Sequence, residues 1–304
     1  MIGLITFAYG APISLDDLAS YYAHIHGGKP LSAEKLEEMK NQFRRWGVAD
    51  TLGNITKRQI KALASIIQPH FPEPVQGYAA YKHTSPFVEE TVAQMIADGV
   101  TKIMTIPFKP VHTKAGNIYY QTLVRNALRK LKVDIPVFHI EQWHHHPSFI
   151  KIFRDRVKAA WEWLPQSIQK NSLVIFTAHS LAGKAEARQV FEKQLLELAN
   201  SIVDPLSLPK WRIAYRSAGS HEGMWSEPDI QEVIKEEANK GCQGIIVCEL
   251  LTVTENIEAL FDIGYNVQDL CQELGIEVFR TPMLNDSFDF IKALEEIVIE
   301  QMDV

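Results

Sequence analysis

The chain has 304 residues, 46% of them hydrophobic and 22% charged, and a formal net charge of −6. That length exceeds one ordinary core and suits two domains, while the acidic balance argues against a nucleic-acid partner, since phosphate binding needs a basic face. No apolar run approaches the roughly 20 residues of a membrane span, and the three cysteines, Cys242, Cys248 and Cys271, lack CxxC spacing and are too few for a disulfide framework.

The first residues, Met1-Ile2-Gly3-Leu4-Ile5, enter a strand at once, without the basic region and small-residue cleavage site of a signal peptide. Cys248 ends an apolar run and reads as a buried thiol. A reducing cytoplasm and a monomer are the expected setting and state.

Strand-like and helix-like segments alternate along the first half. Ile2 to Ala8 reads as a buried strand, closed by Tyr9-Gly10-Ala11-Pro12. Ser14 with Asp17 is placed to cap a helix through Tyr21 and Tyr22, which His26-Gly27-Gly28-Lys29-Pro30 breaks. Helices follow from Ser32 to Arg45 and from Thr56 to Ile67, then a strand from Val75 to Lys82. Ser85-Pro86 is expected to open a helix to Ala97, with proline at a favoured early position. Strands at Thr101 to Pro107 and Val137 to Ile140 flank a helix from Asn117 to Leu131.

The second half repeats this order. A helix from Pro147 to Trp163 precedes the strand ending at His179, and a helix from Leu181 to Asn200 follows it. Further strands fall at Trp211 to Tyr215, Gly244 to Cys248 and Glu277 to Phe279, with helices near Pro228 to Asn239, Glu255 to Phe261 and Ser287 to Met302. Repeated βα units imply parallel sheets with right-handed crossovers. The expected fold is α/β, with two Rossmann- or flavodoxin-like domains, each a four-stranded parallel sheet flanked by helices. The boundary is placed near Gln142 to Pro147, giving domains 1–145 and 146–304 with a binding cleft between them.

The stretch Leu173-Val174-Ile175-Phe176-Thr177-Ala178-His179 sets an imidazole at the carboxyl end of a strand buried on both faces. Ligands in open α/β sheets bind outside such strand ends, so His179 either does chemistry there or satisfies a turn. Tyr9 ends the first strand beside Gly10, which lets backbone approach a ligand closely. Glu255, Glu258 and Asp262 are spaced i, i+3 and i+7 and would share a helix face, Glu255 reading as solvated and Glu258 as the inward one. Other signals are weak. No GxGxxG or GxxxxGK[ST] is present, Ser180 beside His179 makes no nucleophile elbow, and the consecutive His144-His145-His146 do not converge on one ion.

Together these stretches resemble the ferrochelatase family, most closely its soluble Gram-positive coproporphyrin enzymes, which have the class II chelatase fold. The resemblance rests on Ala8-Tyr9-Gly10-Ala11-Pro12, Tyr21-Tyr22-Ala23-His24-Ile25 and Lys82-His83-Thr84-Ser85-Pro86-Phe87-Val88-Glu89. It continues through Ala178-His179-Ser180-Leu181, Ser217-Ala218-Gly219 with Trp225-Ser226-Glu227-Pro228-Asp229, and Asn256-Ile257-Glu258-Ala259-Leu260-Phe261-Asp262. It implies insertion of Fe(II), as substrate, into a porphyrin held in the cleft, coproporphyrin III by default. His179 would be base and metal contact, Glu258 its assistant, and Tyr9 an axial oxygen on the opposite face. Asp262 would continue the acidic line, while Tyr120 and Trp225 would wall the pocket. No tightly bound cofactor is expected, and three cysteines cannot supply an iron–sulfur centre.

The chain also departs from the family pattern. His26-Gly27-Gly28-Lys29-Pro30 lacks expected arginines, and Asp50 stands where a propionate-binding serine is expected. Arg44 and Arg45 are the candidates to pair with porphyrin carboxylates instead. Glu249-Leu250-Leu251-Thr252 replaces a P-[IV]-G-F segment, and Asn256 replaces a histidine. A non-catalytic haem- or porphyrin-binding paralogue, or a chelatase for another tetrapyrrole or metal, are the alternative readings.

Overall fold

A computed structural model describes residues 1–46, 51–218 and 224–303, with the side chains of Arg45, Trp46, Lys114 and Ala115 also outside the description. The sites read into Asp50 and the Arg45 side chain therefore lie outside the described residues. The first half runs β1 (Ile2–Ala8), α1 (Leu18–Ile25), α2 (Ala33–Trp46), α3 (Thr51–Ile67), β2 (Val75–Tyr81), α4 (Val88–Ala97), β3 (Lys102–Thr105), α5 (Tyr119–Leu131) and β4 (Val137–His139). It continues with α6 (Pro147–Trp163), α7 (Gln166–Gln169), β5 (Ser172–His179), α8 (Ala185–Val203), β6 (Trp211–Arg216) and α9 (Ile230–Asn239). The last elements are β7 (Gly244–Glu249), α10 (Ile257–Phe261), α11 (Gln268–Glu273), β8 (Glu277–Arg280) and α12 (Phe288–Met302).

The strands form two four-stranded sheets, ordered β2-β1-β3-β4 and β6-β5-β7-β8, with every pairing parallel. The apolar runs explain this. On β1, Ile2 and Leu4 enter the core between the sheets while Ile5 and Phe7 enter the outer core under α4 and α5. On β5, Val174, Phe176 and Ala178 face inward and Leu173 and Ile175 face α9 and α11. Strands covered on both faces read as continuous hydrophobic runs, which is why β1 and β5 were plain in the sequence. Close approach is enforced at Gly77, where any Cβ would stand 2.6 Å from the Ile60 carbonyl oxygen of α3.

The central core joins both sheets. It includes Leu63 of α3, Phe149 and Phe153 of α6, Leu195 of α8 and Phe290 and Leu294 of α12. The C-terminal helix thus packs on α3 of the first half, and Arg58 on α3 pairs with Asp286 just before α12.

Several expected helix starts move; α3 begins five residues early, at Thr51 rather than Thr56, and others begin late. Pro86 does not open α4: its carbonyl accepts from the Tyr81 N–H (2.9 Å), which keeps this segment extended, and the helix begins at Val88. The Glu90 carboxylate then accepts from the Phe87 N–H (2.8 Å). Residues 181–183 are likewise extended, because the Gly183 N–H donates to Met224 O (2.9 Å) and the Ser226 N–H to Leu181 O (3.1 Å), so α8 waits until Ala185. At α1, Asp17 accepts from the Ser14 N–H (3.0 Å) and hydroxyl (2.8 Å), a link made ahead of the helix rather than a cap on its first turn.

Candidate active site

The parallel order brings the ends of three neighbouring strands to one edge. His179 closes β5 opposite Arg216, which closes β6, while Glu249 closes β7 opposite Thr177. The Ser180 N–H donates to Arg216 O (2.8 Å) and the Leu250 N–H to Thr177 O (2.8 Å), extending both ladders just far enough to fix these side chains.

His179 Nε2 lies 3.1 Å from Glu258 Oε1, and its Nδ1 lies 2.7 Å from the Ser180 carbonyl oxygen, which accepts. Both ring nitrogens therefore face acceptors, an arrangement that the doubly protonated ring satisfies. Burial pulls the imidazole pKa down, but the hydrogen bond and charge of Glu258 outweigh it and leave it raised. Burial opposes ionisation of Glu258 in the same way. Its bond to His179, the charges of His179 and Arg216, and Ser217 overcome that and hold it at about 2. Glu258 rides on α10, whose first residue follows Asn256, an N-cap that accepts from the Ala259 N–H (3.0 Å).

Behind this pair, Arg216 Nη1 reaches Asp262 Oδ2 (3.3 Å), and the Ser217 hydroxyl also donates to Asp262. Burial raises the Asp262 pKa despite these contacts. Ser217 holds φ at 58°, a left-handed backbone that costs roughly 1–3 kcal/mol and is retained where surroundings fix it, as this bond does. Glu255, by contrast, precedes α10 and pairs with Arg280 (3.0 Å), so it does not join the Glu258–Asp262 face.

Tyr9 is the first residue after β1, and β1 holds the place in its sheet that β5, which ends in His179, holds in the other. It is 48% exposed, its ring lies 4.4 Å from that of His83, and burial followed by the Glu258 charge raises its phenol pKa. Tyr22 on α1 is pushed up to about 12 by burial and then by Glu258 and Tyr9. Both phenols thus feel the charge of Glu258. Gly10 has φ of 91°, and its carbonyl accepts from the Tyr21 hydroxyl (2.9 Å), which ties α1 to the Tyr9 loop.

The other candidates are placed as follows. Tyr120 is buried, stacked on Phe7 at 4.5 Å, with its hydroxyl 3.4 Å from Ala8 O, so it supports the end of β1 from beneath. Trp225 is half-buried, and its indole N–H is buried without a partner. Arg44 is exposed and turned to Glu37 (2.6 Å) and Asn41 (2.8 Å) of its own helix. His144 and His146 diverge, to Glu197 (3.9 Å) and Glu300 (3.0 Å) on different helices.

Sequence reasoning missed two lysines. Lys82 Nζ stands over the rings of Tyr9 (5.8 Å) and Tyr119 (5.0 Å). Lys109 donates to the Thr113 hydroxyl (3.1 Å), and burial, with Lys82 nearby, pushes its ammonium down to about 8. Neither lysine has a carboxylate partner among the described residues. Lys82 sat inside a quoted motif, whereas Lys109, between Phe108 and Pro110, gave no signal beyond a polar loop residue.

Two parallel sheets that present an imidazole, carboxylates and a phenol at their carboxyl edges define the class as a two-lobed chelatase fold. SirB from Bacillus subtilis, solved with Fe3+, is similar over 99% of this chain and 95% of its own, with a TM-score of 0.57 and 14% identity. CbiX, described as the terminal enzyme of sirohaem biosynthesis in denitrifying bacteria, has a TM-score of 0.54 at 10% identity over 98% of each chain. At such identities the likeness concerns the fold alone. The sequence goes further: residues 1–302 match the Ferrochelatase family, and the chain belongs to it. It is thus an enzyme of the kind that inserts metal into a porphyrin. Coproporphyrin III ferrochelatase 2 of Bacillus cereus is 32% identical over 306 residues, covering 99% of this chain and 94% of that protein. Coproporphyrin III ferrochelatase of Oceanobacillus iheyensis is 28% identical over 303 residues, covering 99% and 96%. Among the described residues, no helix is long and apolar enough to cross a membrane.

Proposed function

We propose that this chain inserts Fe(II) into coproporphyrin III, with the His179–Glu258 pair facing the macrocycle from one side and Tyr9 from the other. The observation that carries the reading is the 3.1 Å contact of His179 Nε2 with Glu258 at the edge where three strands end. Metal insertion requires two pyrrole protons to leave as Fe(II) enters, so the macrocycle gains one dication and releases two H⁺. A group that can hold a proton or a metal on the same nitrogen suits this exchange. His179 Nε2 is that group. An arriving cation takes the Nε2 lone pair as its proton leaves over the half-exposed Glu258 carboxylate to water; once the metal moves on, the imidazole receives one pyrrole proton and Glu258 relays the other to water. Asp262, whose pKa burial raises, is the next acceptor inward. His179 and Glu258 give a passing ion only two protein donors, leaving its other positions free for pyrrole nitrogens.

Tyr9 supplies an axial oxygen from the opposite face, with Trp225 at the wall. The porphyrin's carboxylates fall to Lys82 and Lys109, whose ammonium groups have no carboxylate partner among the described residues, while Arg44 is already paired with Glu37. A buried amine held at about 8 is readily kept protonated by an incoming carboxylate.

The test is anaerobic: coproporphyrin III and Fe(II) are mixed with the protein, and the porphyrin-to-haem absorbance change is followed against a control without it. Many turnovers per chain are expected. Stoichiometric porphyrin binding with no insertion would replace this reading with a carrier.

A further inference from the structure

One guanidinium stands among three carboxylates at the inner end of the site. The side chains of Arg216 and Glu249 are each 1% exposed and joined by a 2.9 Å bond from Nε. Nη2 donates to the Thr252 hydroxyl (3.0 Å), and Nη1 meets Asp262 (3.3 Å), Ser217 (3.3 Å) and Glu258 (3.9 Å). Glu249 is filled on its other oxygen by the N–H groups of Leu251 (3.1 Å) and Thr252 (2.9 Å). Asp262 carries two donors on one oxygen, Arg216 and Ser217. Of the three carboxylates Glu258 is the most exposed, at 49% against 17% for Asp262 and 1% for Glu249, and it turns to His179.

We propose that Arg216 is a positioning and specificity-determining residue, a built-in cation that closes Glu249 and Asp262 to metal. The acidic line then accepts a divalent ion only at its outer end, on His179 and Glu258. The reason is electrostatic and steric together. A dication on Asp262 would stand within a few ångströms of a fixed positive charge in a poorly hydrated place, where repulsion is far less screened than in water. A dication held by both Asp262 oxygens would also have to displace the Arg216 and Ser217 donors from Oδ2. A guanidinium suits this task better than an ammonium, because its fork serves Glu249, Thr252 and Asp262 at once and it stays charged throughout. Arg216 and Glu249 end β6 and β7, the two strands that flank β5, so the sheet fixes that pair, while Ser217, Thr252 and Asp262 reach it from segments beyond the strands.

This inference rests on the metal-insertion reading only for calling the ion a substrate, and its test needs no porphyrin. Co(II) chloride is titrated into the full chain, with heat and the d–d absorption as readouts. One equivalent is expected for the parent, with its absorption lost in His179→Ala. Arg216→Gln combined with Glu249→Gln, which avoids stranding a buried carboxylate, should bind a second equivalent or bind the first at least tenfold more tightly. Arg216→Lys keeps the charge but loses the fork, and its Co(II) binding should fall between that of the parent and that of the double variant. The proposal is overturned if the folded double variant binds one equivalent at unchanged affinity, or if Arg216→Lys matches the double variant. It is also overturned if the parent binds no Co(II), or binds two equivalents of which Asp262→Asn removes one. Those last arms need no change at Arg216, so they decide even if the double variant does not fold. An absence of porphyrin turnover with one Co(II) bound would remove the insertion reading and leave this one standing.

Discussion

His179 holds both ring nitrogens against acceptors, Nε2 on Glu258 at 3.1 Å and Nδ1 on the Ser180 carbonyl at 2.7 Å. The base of the proposed reaction thus rests as the imidazolium half of an ion pair, and metal arrival is what frees its lone pair. His179→Ala is expected to lower kcat for metal insertion by roughly 10²–10⁴-fold, with porphyrin affinity changed little. Stopped-flow turnover and fluorescence titration separate the two, and unchanged turnover would remove His179 from the mechanism.

The same pair gives stability a pH window. The pKa of His179 is raised above 6.5 on folding, so its contribution is full below 6.5 and is lost as pH rises through the folded value. That of Glu258 is lowered from 4.5 to about 2, so its contribution is full above 4.5 and is lost as pH falls toward 2. The Tm difference between the parent and Glu258→Gln is therefore expected to be largest between about 4.5 and 6.5. A difference that stays constant across pH 4 to 9 would contradict the pairing.

Carboxylate recognition is expected to follow the unpaired lysines. Lys109→Met should raise the KM for coproporphyrin III by about tenfold or more, the worth of one desolvated charge-assisted bond. Arg44→Ala, whose guanidinium is held by Glu37, should leave KM within about threefold. The reverse order in steady-state assays would return carboxylate binding to α2.

Phe290 is fully buried, with its ring 6.3 Å from Phe108, 6.2 Å from Trp143 and 6.3 Å from Phe149. Phe290→Ala is expected to cost about 3–5 kcal/mol, as large-to-small changes at such sites do. Denaturant unfolding measures it, and a loss below about 1 kcal/mol would mean that the core refills the space.

Much of this was legible in the chain because local pattern decides it. β5 and β7 are covered on both faces and read as unbroken apolar runs, and α6 begins and ends where its proline and periodicity place it. His179 stood out because it ends an apolar run, and Glu258 because it shares helical spacing with Asp262 on the inward side. The misplaced helix starts at Pro86 and Leu181 both come from backbone bonds that hold those segments extended, a local one from Tyr81 at Pro86 and a long-range pairing with residues 224–226 at Leu181. Non-local pairing also hid Arg216 and Glu249. Apart they look like a basic strand end and a departure from a motif, and only the β6–β5–β7 order brings them within 2.9 Å. Lys109 was invisible for a similar reason, since nothing nearby in sequence says that its amine is buried without an acid.

The core shared by the two sheets has a mechanical consequence. Tyr9 and His179 leave strands β1 and β5, whose inner faces press on the same α3, α6, α8 and α12 side chains. Gln59 on α3 also donates to Asn285 O (2.7 Å) and accepts from the Thr254 hydroxyl (2.9 Å) of the other half. The gap between phenol and imidazole is therefore gauged by the girth of a close-packed interior, which yields little under load. Its width is a dimension of the scaffold, and a methylene gained or lost at Phe176 or Leu63 would register at the strand ends as a change of span.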